Sequence, residues 1–225
     1  MTHLPFADRI EAGRILAAEL TERGIAPGTI VLALARGGVP VGFSVAERLR
    51  LPLDVVIARK LGVPWQPEVA FGAVTTDTQV LDAPLIRLLG IPEEDIEEIT
   101  SREQAEIARR EMVYRMGEAP ADLHDRTVVL VDDGIATGNT TLAALRHVRR
   151  RRPAKIILAV PVASRNGIHL IRPETDDVVC VAIPERFFSV GEWYREFPQL
   201  DDEEVRHLLQ ESHRQFQRSH GAVSA

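Results

Sequence analysis

The first 58 residues alternate between amphipathic and fully apolar segments. Residues 6–23 place apolar side chains among charges at helical intervals, which predicts an amphipathic helix that ends at Gly24. The apolar runs 29–35 and 53–58 predict buried strands, and residues 39–49 between them predict a helix. A strand, a helix and a strand with short connections form the repeating unit of a parallel sheet.

The same alternation returns in the second half of the chain, from residue 127. It predicts strands at 127–131, 154–160 and 178–183, and helices at 139–150, 164–171 and 201–215. We therefore expect an α/β fold with a doubly wound, mainly parallel sheet flanked by helices. In such a fold the ligands bind at the carboxyl ends of the strands.

Residues 59–82, between these two halves, do not follow this alternating pattern. Glycines and prolines interrupt them, and only 69–74 and 78–81 resemble short hairpin strands. Such a stretch is more often a mobile surface segment than packed core. We expect a flexible flap at about 59–82.

The segment that follows, about 84–118, is predicted to be a helical insertion. Within it, residues 91–116 carry acidic side chains first and basic side chains later, an order that suits the helix macrodipole. The density of charge predicts a long solvated helix.

The composition is that of an ordinary globular protein, with 45% hydrophobic and 27% charged residues, and it excludes global disorder. The 225 residues fit one domain, which we place at 1–217, followed by a flexible tail at 218–225. No apolar run is long enough for a membrane helix, and the first residues lack the pattern of a secretory signal. A single cysteine, Cys180, and a net charge of −6 favour a cytoplasmic protein that binds neither nucleic acid nor membranes.

The most informative segment is 128–141, where a predicted strand runs into an acid pair. Four apolar residues lead directly to Asp132 and Asp133, so both carboxylates lie where a buried strand reaches its carboxyl end. Residues 136–141 then combine small and hydroxyl side chains around Gly138 at the start of a helix, and such a loop binds a phosphate with its backbone amides. A phosphate site beside two carboxylates suggests a sugar phosphate as the ligand.

Spacing argues against other motifs of this kind. A Walker A loop has a lysine directly after its last glycine, whereas Asn139 follows Gly138 here, and the dinucleotide-binding G-x-G-x-x-G pattern is missing. An acidic turn that only caps the next helix is the remaining alternative. It is disfavoured because two acids on a buried strand are costly without a partner or ligand.

Residues 128–141 resemble the phosphoribosyl-diphosphate (PRPP) motif of type I phosphoribosyltransferases, in which four hydrophobic residues and two acids precede a Thr-Gly-x-Thr loop. Ala33–Gly38 is similar to the pyrophosphate loop of that family, and the resemblance implies a non-proline cis peptide at or next to Ala35–Arg36. Residues 61–81 occupy the place of the flexible loop that closes over the reaction centre in that family.

The resemblance implies a role for each matching residue. Asp132 and Asp133 would hold the ribose hydroxyls, directly or through Mg²⁺, and would be the ligands of that metal. The 5-phosphate would be bound by Ala136, Thr137, Gly138, Asn139, Thr140 and Thr141, and the diphosphate by Arg36, Gly37, Arg59 and Lys60. Only two of the 27 basic residues are lysines, Lys60 and Lys155, and this scarcity favours a function for Lys60.

The acceptor is left open. Residues 183–191 resemble the hood segment of purine phosphoribosyltransferases, a small subdomain that we place at about 183–217, with Phe187 at the position that stacks on the base. However, Ala136 stands where 6-oxopurine enzymes have an aspartate, and Pro161–Val162 stands near the position of their base-reading lysine. We therefore expect a nucleobase-like acceptor without choosing among the bases.

The resemblance implies an enzyme that transfers the phosphoribosyl group of PRPP to this acceptor with the help of Mg²⁺, and we expect a homodimer. One alternative is a PRPP- or nucleotide-sensing regulatory protein that keeps the fold without turnover, and another is an enzyme that hydrolyses PRPP. The flap with Arg59 and Lys60 and the loop with Arg36 and Gly37 favour the transferase.

Overall fold

The structure is a computed structural model that describes residues 4–221. In chain order, its strands and helices are α1 (Arg9–Arg23), β1 (Ile30–Ala35), α2 (Gly38–Leu49), β2 (Leu53–Ile57), β3 (Arg59–Val63), β4 (Gln66–Val74), β5 (Gln79–Leu81), α3 (Ala83–Leu89), α4 (Glu93–Arg115), β6 (Thr127–Val131), α5 (Asn139–Arg150), β7 (Lys155–Val162), α6 (Arg165–Ile171), β8 (Asp177–Ala182) and α7 (Asp202–Gly221). β6 and α5 begin and end at the predicted residues. They flank the acid pair and residues 136–141, which we call the phosphate loop after the motif that they resemble.

Five parallel strands form the central sheet in the order β2-β1-β6-β7-β8. Helices α1 and α2 bury one face of this sheet with side chains such as Leu16 and Val45, and α5 and α6 bury the other with side chains such as Leu145 and Ile171. Because both faces are covered, four of the five residues of β6 are buried and apolar. The predicted doubly wound α/β sheet flanked by helices is confirmed.

The chain reverses its path across the sheet between β1 and β6. β1 continues to β2 on one side, whereas β6 continues to β7 on the other. The loops that follow β1 and β6 therefore diverge and leave a crevice at the carboxyl ends of the strands, which is where open α/β sheets bind ligands. These two loops are the segments that resemble the pyrophosphate loop and the PRPP motif.

The flap, residues 59–82, is a second sheet rather than a loop with two short strands. β3, β4 and β5 pair antiparallel in that order, and Leu61 and Phe71 are fully buried. The prediction missed β3 because Gly62 and Pro64 usually interrupt strands, whereas the pairing accommodates Gly62 through register shifts on both sides of it. The expectation that this segment lies outside the packed core is therefore wrong for its inner side.

The insertion forms two helices, and the longer one, α4, is not exposed to solvent over its whole length. One side of it is buried, at Ile99, Glu103, Ile107, Arg110 and Tyr114. Their spacing of four, four, three and four residues places them on one face, which packs against the flap and α7. The prediction missed this face because two of its five members are charged.

The last helix is longer than predicted. α7 extends to Gly221, so the first four residues of the tail expected at 218–225 are helical, and the last four lie outside the described residues. The flexibility of this tail stays a prediction. α7 packs against α2 and α4, whereas residues 183–201 before it form an irregular segment with one 3-10 turn at Gly191–Trp193. In the part of the chain that the structure describes, no helix is both long and apolar enough to cross a bilayer.

The buried face of α4 gives a direct test of its place in the core. We expect Ile107→Ala to lower the free energy of unfolding by about 2–4 kcal/mol, because Ile107 is fully buried and its removal leaves a cavity. Met112→Ala on the same helix is the control, since Met112 is 69% exposed, and it should change stability by less than about 0.5 kcal/mol. Urea unfolding of both variants measures the difference, and two equally small effects would show that α4 is not part of the core.

Candidate functional site

The two loops at the crevice touch each other directly. A Cβ atom built on Gly37, in the loop after β1, would lie 2.0 Å from Oδ2 of Asp133, in the loop after β6. Only glycine fits here, because any side chain would collide with the carboxylate. In the same loop the peptide bond Ala35–Arg36 is cis, as the resemblance implies.

Asp132 and Asp133 lie side by side, largely shielded from solvent, at the end of β6. Oδ1 of Asp132 accepts a 2.9 Å hydrogen bond from the backbone amide of Asp133, and its Oδ2 accepts a longer one, 3.4 Å, from the Thr141 hydroxyl. Burial, and then the neighbouring Asp133 carboxylate, raise the pKa of Asp132 well above its usual range. The hydrogen bonds that Asp132 accepts therefore do not offset the cost of burying its charge.

Arg9, at the start of α1, is the counter-ion of the second acid. Its Nε donates a 2.9 Å hydrogen bond to Oδ2 of Asp133, and its Nη1 donates a 2.8 Å hydrogen bond to the carbonyl oxygen of Pro198. The guanidinium carbon lies 3.7 Å from the centre of the Phe197 ring, where the ring attracts the cation. Burial raises the pKa of Asp133, and the charge of Arg9 limits that increase.

The loop between β6 and α5 presents backbone amides without acceptors. Among the described residues, no acceptor lies within hydrogen-bond reach of an amide from 136 to 141. Gly138, the N-cap of α5, has a φ of +88°, which lies in the left-handed region that favours glycine. These amides and the positive end of the α5 dipole suit an anion such as a phosphate group.

The side chains of this loop do different things. Thr137 is exposed, and Asn139 and Thr140 are half-buried. Thr141 is buried, and its hydroxyl faces the acid pair instead of the loop. The carbonyl oxygen of Ala136 accepts a hydrogen bond from the hydroxyl of Ser164, which fixes the loop to the start of α6. The backbone therefore offers more to an anion here than the side chains do.

A cleft of about 580 Å³ opens beside these loops, between the loop after β1, the flap and α4. Arg36 and Lys60 line it, and neither forms an ion pair with any residue that the structure describes. Thr140 of the phosphate loop reaches the same cleft. Two unpaired cations next to a loop whose amides suit an anion also suit a ligand with a second anionic group.

Arg59 lines the cleft as well, but it already has a partner. Its Nε and Nη2 both lie 2.7 Å from Oε2 of Glu103, which belongs to the buried face of α4. Glu103 is only 8% exposed, so losing this arginine would leave a buried carboxylate poorly compensated. The structure therefore places Arg59 in an ion pair with the insertion, and not among the free cations of the cleft.

The flap is fastened at the turn between β4 and β5. Nδ1 of His147, on α5, shares a short hydrogen bond with Asp77, and Thr76 donates a 3.1 Å hydrogen bond to Glu111 of α4. Burial raises the pKa of Asp77, but the hydrogen bond and charge of His147 outweigh it and leave the pKa lowered. By contrast, Trp65 in the turn between β3 and β4 is 59% exposed. The flap is thus held at one end and open at the other.

Phe187 is partly engaged by a neighbouring ring. It stacks on Trp193, with ring centres 6.3 Å apart and 24° between the planes. Tyr194 is buried, stacks on Phe197 at 4.9 Å and donates a hydrogen bond to the backbone carbonyl oxygen of Asp133. The aromatic residues after residue 191 therefore fasten the hood segment to the acid-pair loop, and one face of Phe187 is taken up in this cluster.

The family model of the phosphoribosyl transferase domain matches residues 8–195. This span includes both loops of the crevice, the acid pair and the flap. The chain belongs to the phosphoribosyltransferase family. The resemblance noted for residues 128–141 is confirmed.

Relatives of this phosphoribosyltransferase domain differ in length. The “Putative phosphoribosyl transferase Rv0571c” of Mycobacterium tuberculosis strain H37Rv is 42% identical over 221 residues, which are 98% of this chain and 49% of that protein. The chain thus spans about half the length of this curated relative. A uracil phosphoribosyltransferase of Myxococcus xanthus is 34% identical over 83 residues, 36% of this chain and 38% of that protein.

A solved structure matches over nearly the whole domain. The crystal structure of TT1426 from Thermus thermophilus is 38% identical in sequence, with a TM-score of 0.75. The match covers 92% of this chain and 98% of that one. The two chains therefore share one fold over nearly the whole length of both.

Three residues around this phosphoribosyltransferase site were not predicted from the sequence. Arg9, Glu103 and His147 are charged or titratable side chains that lie on the buried faces of α1, α4 and α5. A usable signal was present, because each continues an apolar stripe at helical spacing. A charged group at such a position needs a partner elsewhere in the fold, although its helix alone does not reveal which one.

The burial of the Asp132 carboxylate predicts that its charge lowers the stability of the fold. We expect Asp132→Asn to raise the free energy of unfolding at pH 8 by at least about 1 kcal/mol, because it removes a buried charge. A carboxyl group whose pKa is raised in the folded state costs stability as the pH rises. The difference in unfolding free energy between the variant and the wild type should therefore shrink as the pH falls toward 3.8, the ordinary pKa of an aspartate.

Urea unfolding at pH 8 and pH 5 measures this difference. Glu97→Gln is the control, since Glu97 is an exposed carboxylate on α4 and its replacement should matter little at either pH. An Asp132→Asn variant that is less stable than the wild type at both pH values would contradict the prediction.

Proposed function

We propose that this chain is a Mg²⁺-dependent phosphoribosyltransferase, which transfers the 5-phosphoribosyl group of PRPP to a nucleobase-like acceptor and releases diphosphate. The observation that carries the proposal is the contact between Gly37 and Asp133, because it joins the pyrophosphate loop to the acid pair in one crevice. Membership of the family supports PRPP as the donor. Local similarity to a uracil phosphoribosyltransferase supports a nucleobase as the acceptor.

The three polar parts of PRPP correspond to three neighbouring features. The 5-phosphate suits the free amides of residues 136–141. The ribose hydroxyls suit the carboxylates of Asp132 and Asp133, which accept hydrogen bonds. The diphosphate suits the cleft with Arg36 and Lys60. Asp133 contacts Gly37 of the loop that carries Arg36, and Thr140 of residues 136–141 lines the same cleft as Arg36 and Lys60, so the three features adjoin one another.

The acid pair also fits Mg²⁺. Asp132 and Asp133 offer carboxylate oxygens, the ligand type that Mg²⁺ prefers, and Arg9 balances only one of their two charges. Among residues 4–221 no group of three or more His, Cys, Asp or Glu side chains could hold an ion, so the protein would share the ion with its substrate. When bound, Mg²⁺ would neutralise part of the charge on the diphosphate.

The chain's own residues would act mainly through fixed charge. Cleavage of the bond to the anomeric carbon leaves positive charge on the sugar ring and negative charge on the diphosphate. Arg36 and Lys60 stabilise the diphosphate as its charge grows, while Asp132 and Asp133 hold the ring through its hydroxyls. These groups are placed by the fold before the reaction, so they need little reorganisation in the transition state. The turn between β3 and β4, at the edge of the cleft, would shield the cleft from water if it closed over bound substrate.

A nitrogen atom of the acceptor completes the displacement by attacking the anomeric carbon. We place the acceptor beside the hood segment, next to the half-buried Phe187 ring. Ala136 has no side chain that accepts a proton, so this position contributes no general base. The acceptor is therefore one that reacts without a carboxylate from the phosphate loop.

One observation favours the alternative of a sensor without turnover. Arg59 is paired with Glu103, so of the three cations expected beside the diphosphate only Arg36 and Lys60 have no ion-pair partner among the described residues. Fewer free cations give less stabilisation of a leaving diphosphate, although they still allow PRPP to bind.

Diphosphate release separates these functions. Mg²⁺ and PRPP are incubated with the protein and a panel of purines, pyrimidines and a blank without acceptor, and the products are identified by mass. Release that depends on one base and yields its nucleotide establishes the transferase and its acceptor. Release in the blank alone indicates hydrolysis. PRPP binding in calorimetry without release from any mixture supports the sensor, and absence of PRPP binding contradicts the proposal as a whole.

Lys60 gives a test at the level of one residue. We expect Lys60→Ala to lower kcat by about 10- to 100-fold and to change the KM for PRPP by less than about threefold, since the charge on diphosphate peaks in the transition state. Lys155→Ala is the matched control, because Lys155 is the exposed first residue of β7, at the other end of the sheet. A higher KM for PRPP with kcat unchanged would assign Lys60 to ground-state binding only.

A further inference from the structure

Arg9 is a buried charge whose contacts exceed what an ordinary ion pair requires. Only 8% of it is exposed, and it meets Asp133 from a position 124 residues away in the sequence. Nε binds the Asp133 carboxylate, Nη1 binds the Pro198 carbonyl oxygen, and the guanidinium face lies on the Phe197 ring. These contacts use the planar fork of arginine, and the single ammonium of a lysine could not make them all.

The Asp133 carboxylate is confined on several sides. Arg9 holds Oδ2, and the Cα atom of Gly37 lies against the same carboxylate. Its backbone carbonyl oxygen accepts a hydrogen bond from Tyr194. Besides Arg9, this carboxylate has hydrogen-bond contacts only within the acid pair, with the Asp132 carboxyl group and its own backbone amide, and no other described residue donates to Oδ1. One oxygen is therefore fixed by the protein, and the other keeps its capacity to accept a hydrogen bond.

Stability alone is a weak reason for such an arrangement. Burying an arginine and a carboxylate costs solvation energy that their attraction only partly recovers, and apolar side chains of similar volume are often as stabilising. A buried pair in which the arginine binds only one carboxylate oxygen is better explained by what the other oxygen does when a ligand is present.

We propose that Arg9 is a positioning residue for ribose recognition. It holds Oδ2 of Asp133 so that Oδ1 accepts a hydrogen bond from a sugar hydroxyl, and its contacts with Pro198 and Phe197 connect this acid to the hood segment. The inference rests on the proposed function, because it concerns the sugar of the proposed substrate. It adds a residue outside both loops of the crevice to the sugar site.

Two ligands that share different parts of PRPP test the proposal. Ribose 5-phosphate presents the sugar hydroxyls and the 5-phosphate, whereas inorganic diphosphate presents only the group that suits Arg36 and Lys60. We expect Arg9→Met to weaken the binding of ribose 5-phosphate about tenfold or more and to leave the affinity for diphosphate within about twofold. Calorimetry with each ligand in the presence of Mg²⁺ measures both values.

Two further variants keep the test decisive. Arg14→Met is the matched control, because Arg14 is exposed on the same helix, and it should bind both ligands like the wild type. Arg9→Lys retains the positive charge without the fork, and we expect it to weaken ribose 5-phosphate binding by about threefold with diphosphate binding unchanged. This variant carries the test if Arg9→Met does not fold.

The outcomes separate this inference from the proposed function. A wild-type protein that binds neither ligand overturns the proposed function and this inference together. If the wild type binds both ligands and the Arg9 variants bind ribose 5-phosphate equally well, only the inference is overturned. If the variants lose affinity for both ligands to the same extent, Arg9 has a general structural role and the inference is overturned as well. Selective loss of ribose 5-phosphate supports it.

Discussion

Two adjacent carboxylates at the end of a buried strand impose the strongest physical constraint on this fold. β6 is covered on both faces, so Asp132 and Asp133 emerge from an apolar environment with little water to stabilise their charge. The protein compensates one charge itself, through Arg9, whereas Asp132 forms no ion pair with any described residue and its pKa is raised. That compensation requires α1, the loop after β1 and the hood segment to meet at one point, although they are far apart in the sequence.

The parts of the fold predicted from the sequence are those that local chemistry determines. β6 and α5 begin and end at the predicted residues because an apolar run, two acids and Gly138 specify a strand, its end and the start of a helix within one short stretch of chain. The resemblance of residues 128–141 depends on the same local order. For this reason the position of the acid pair and of the phosphate loop could be predicted without any knowledge of tertiary contacts.

The parts that were missed depend on distant partners. Arg59 looked like a free cation because its partner, Glu103, lies 44 residues further along the chain and was expected to face solvent. β3 looked irregular because its pairing with β4 tolerates a bulge at Gly62 that a single strand does not reveal. In both cases the structure is determined by a contact between residues that are not neighbours in the sequence. The composition of a whole segment does not show which few of its positions form such a contact.

The contacts of the flap limit how it can cover the crevice. Its start is held to α4 by Arg59 and Glu103, and its second turn is held to α5 by Asp77 and His147. An element fixed at these two places moves most easily at its remaining free end, the turn between β3 and β4 that contains Trp65. Since Lys60 lies between the fixed start and this turn, a small movement of the turn changes access to the cleft while the cation keeps its place. The insertion thus holds the start of the flap, and its helix α4 also forms one wall of the cleft that Arg36 and Lys60 line.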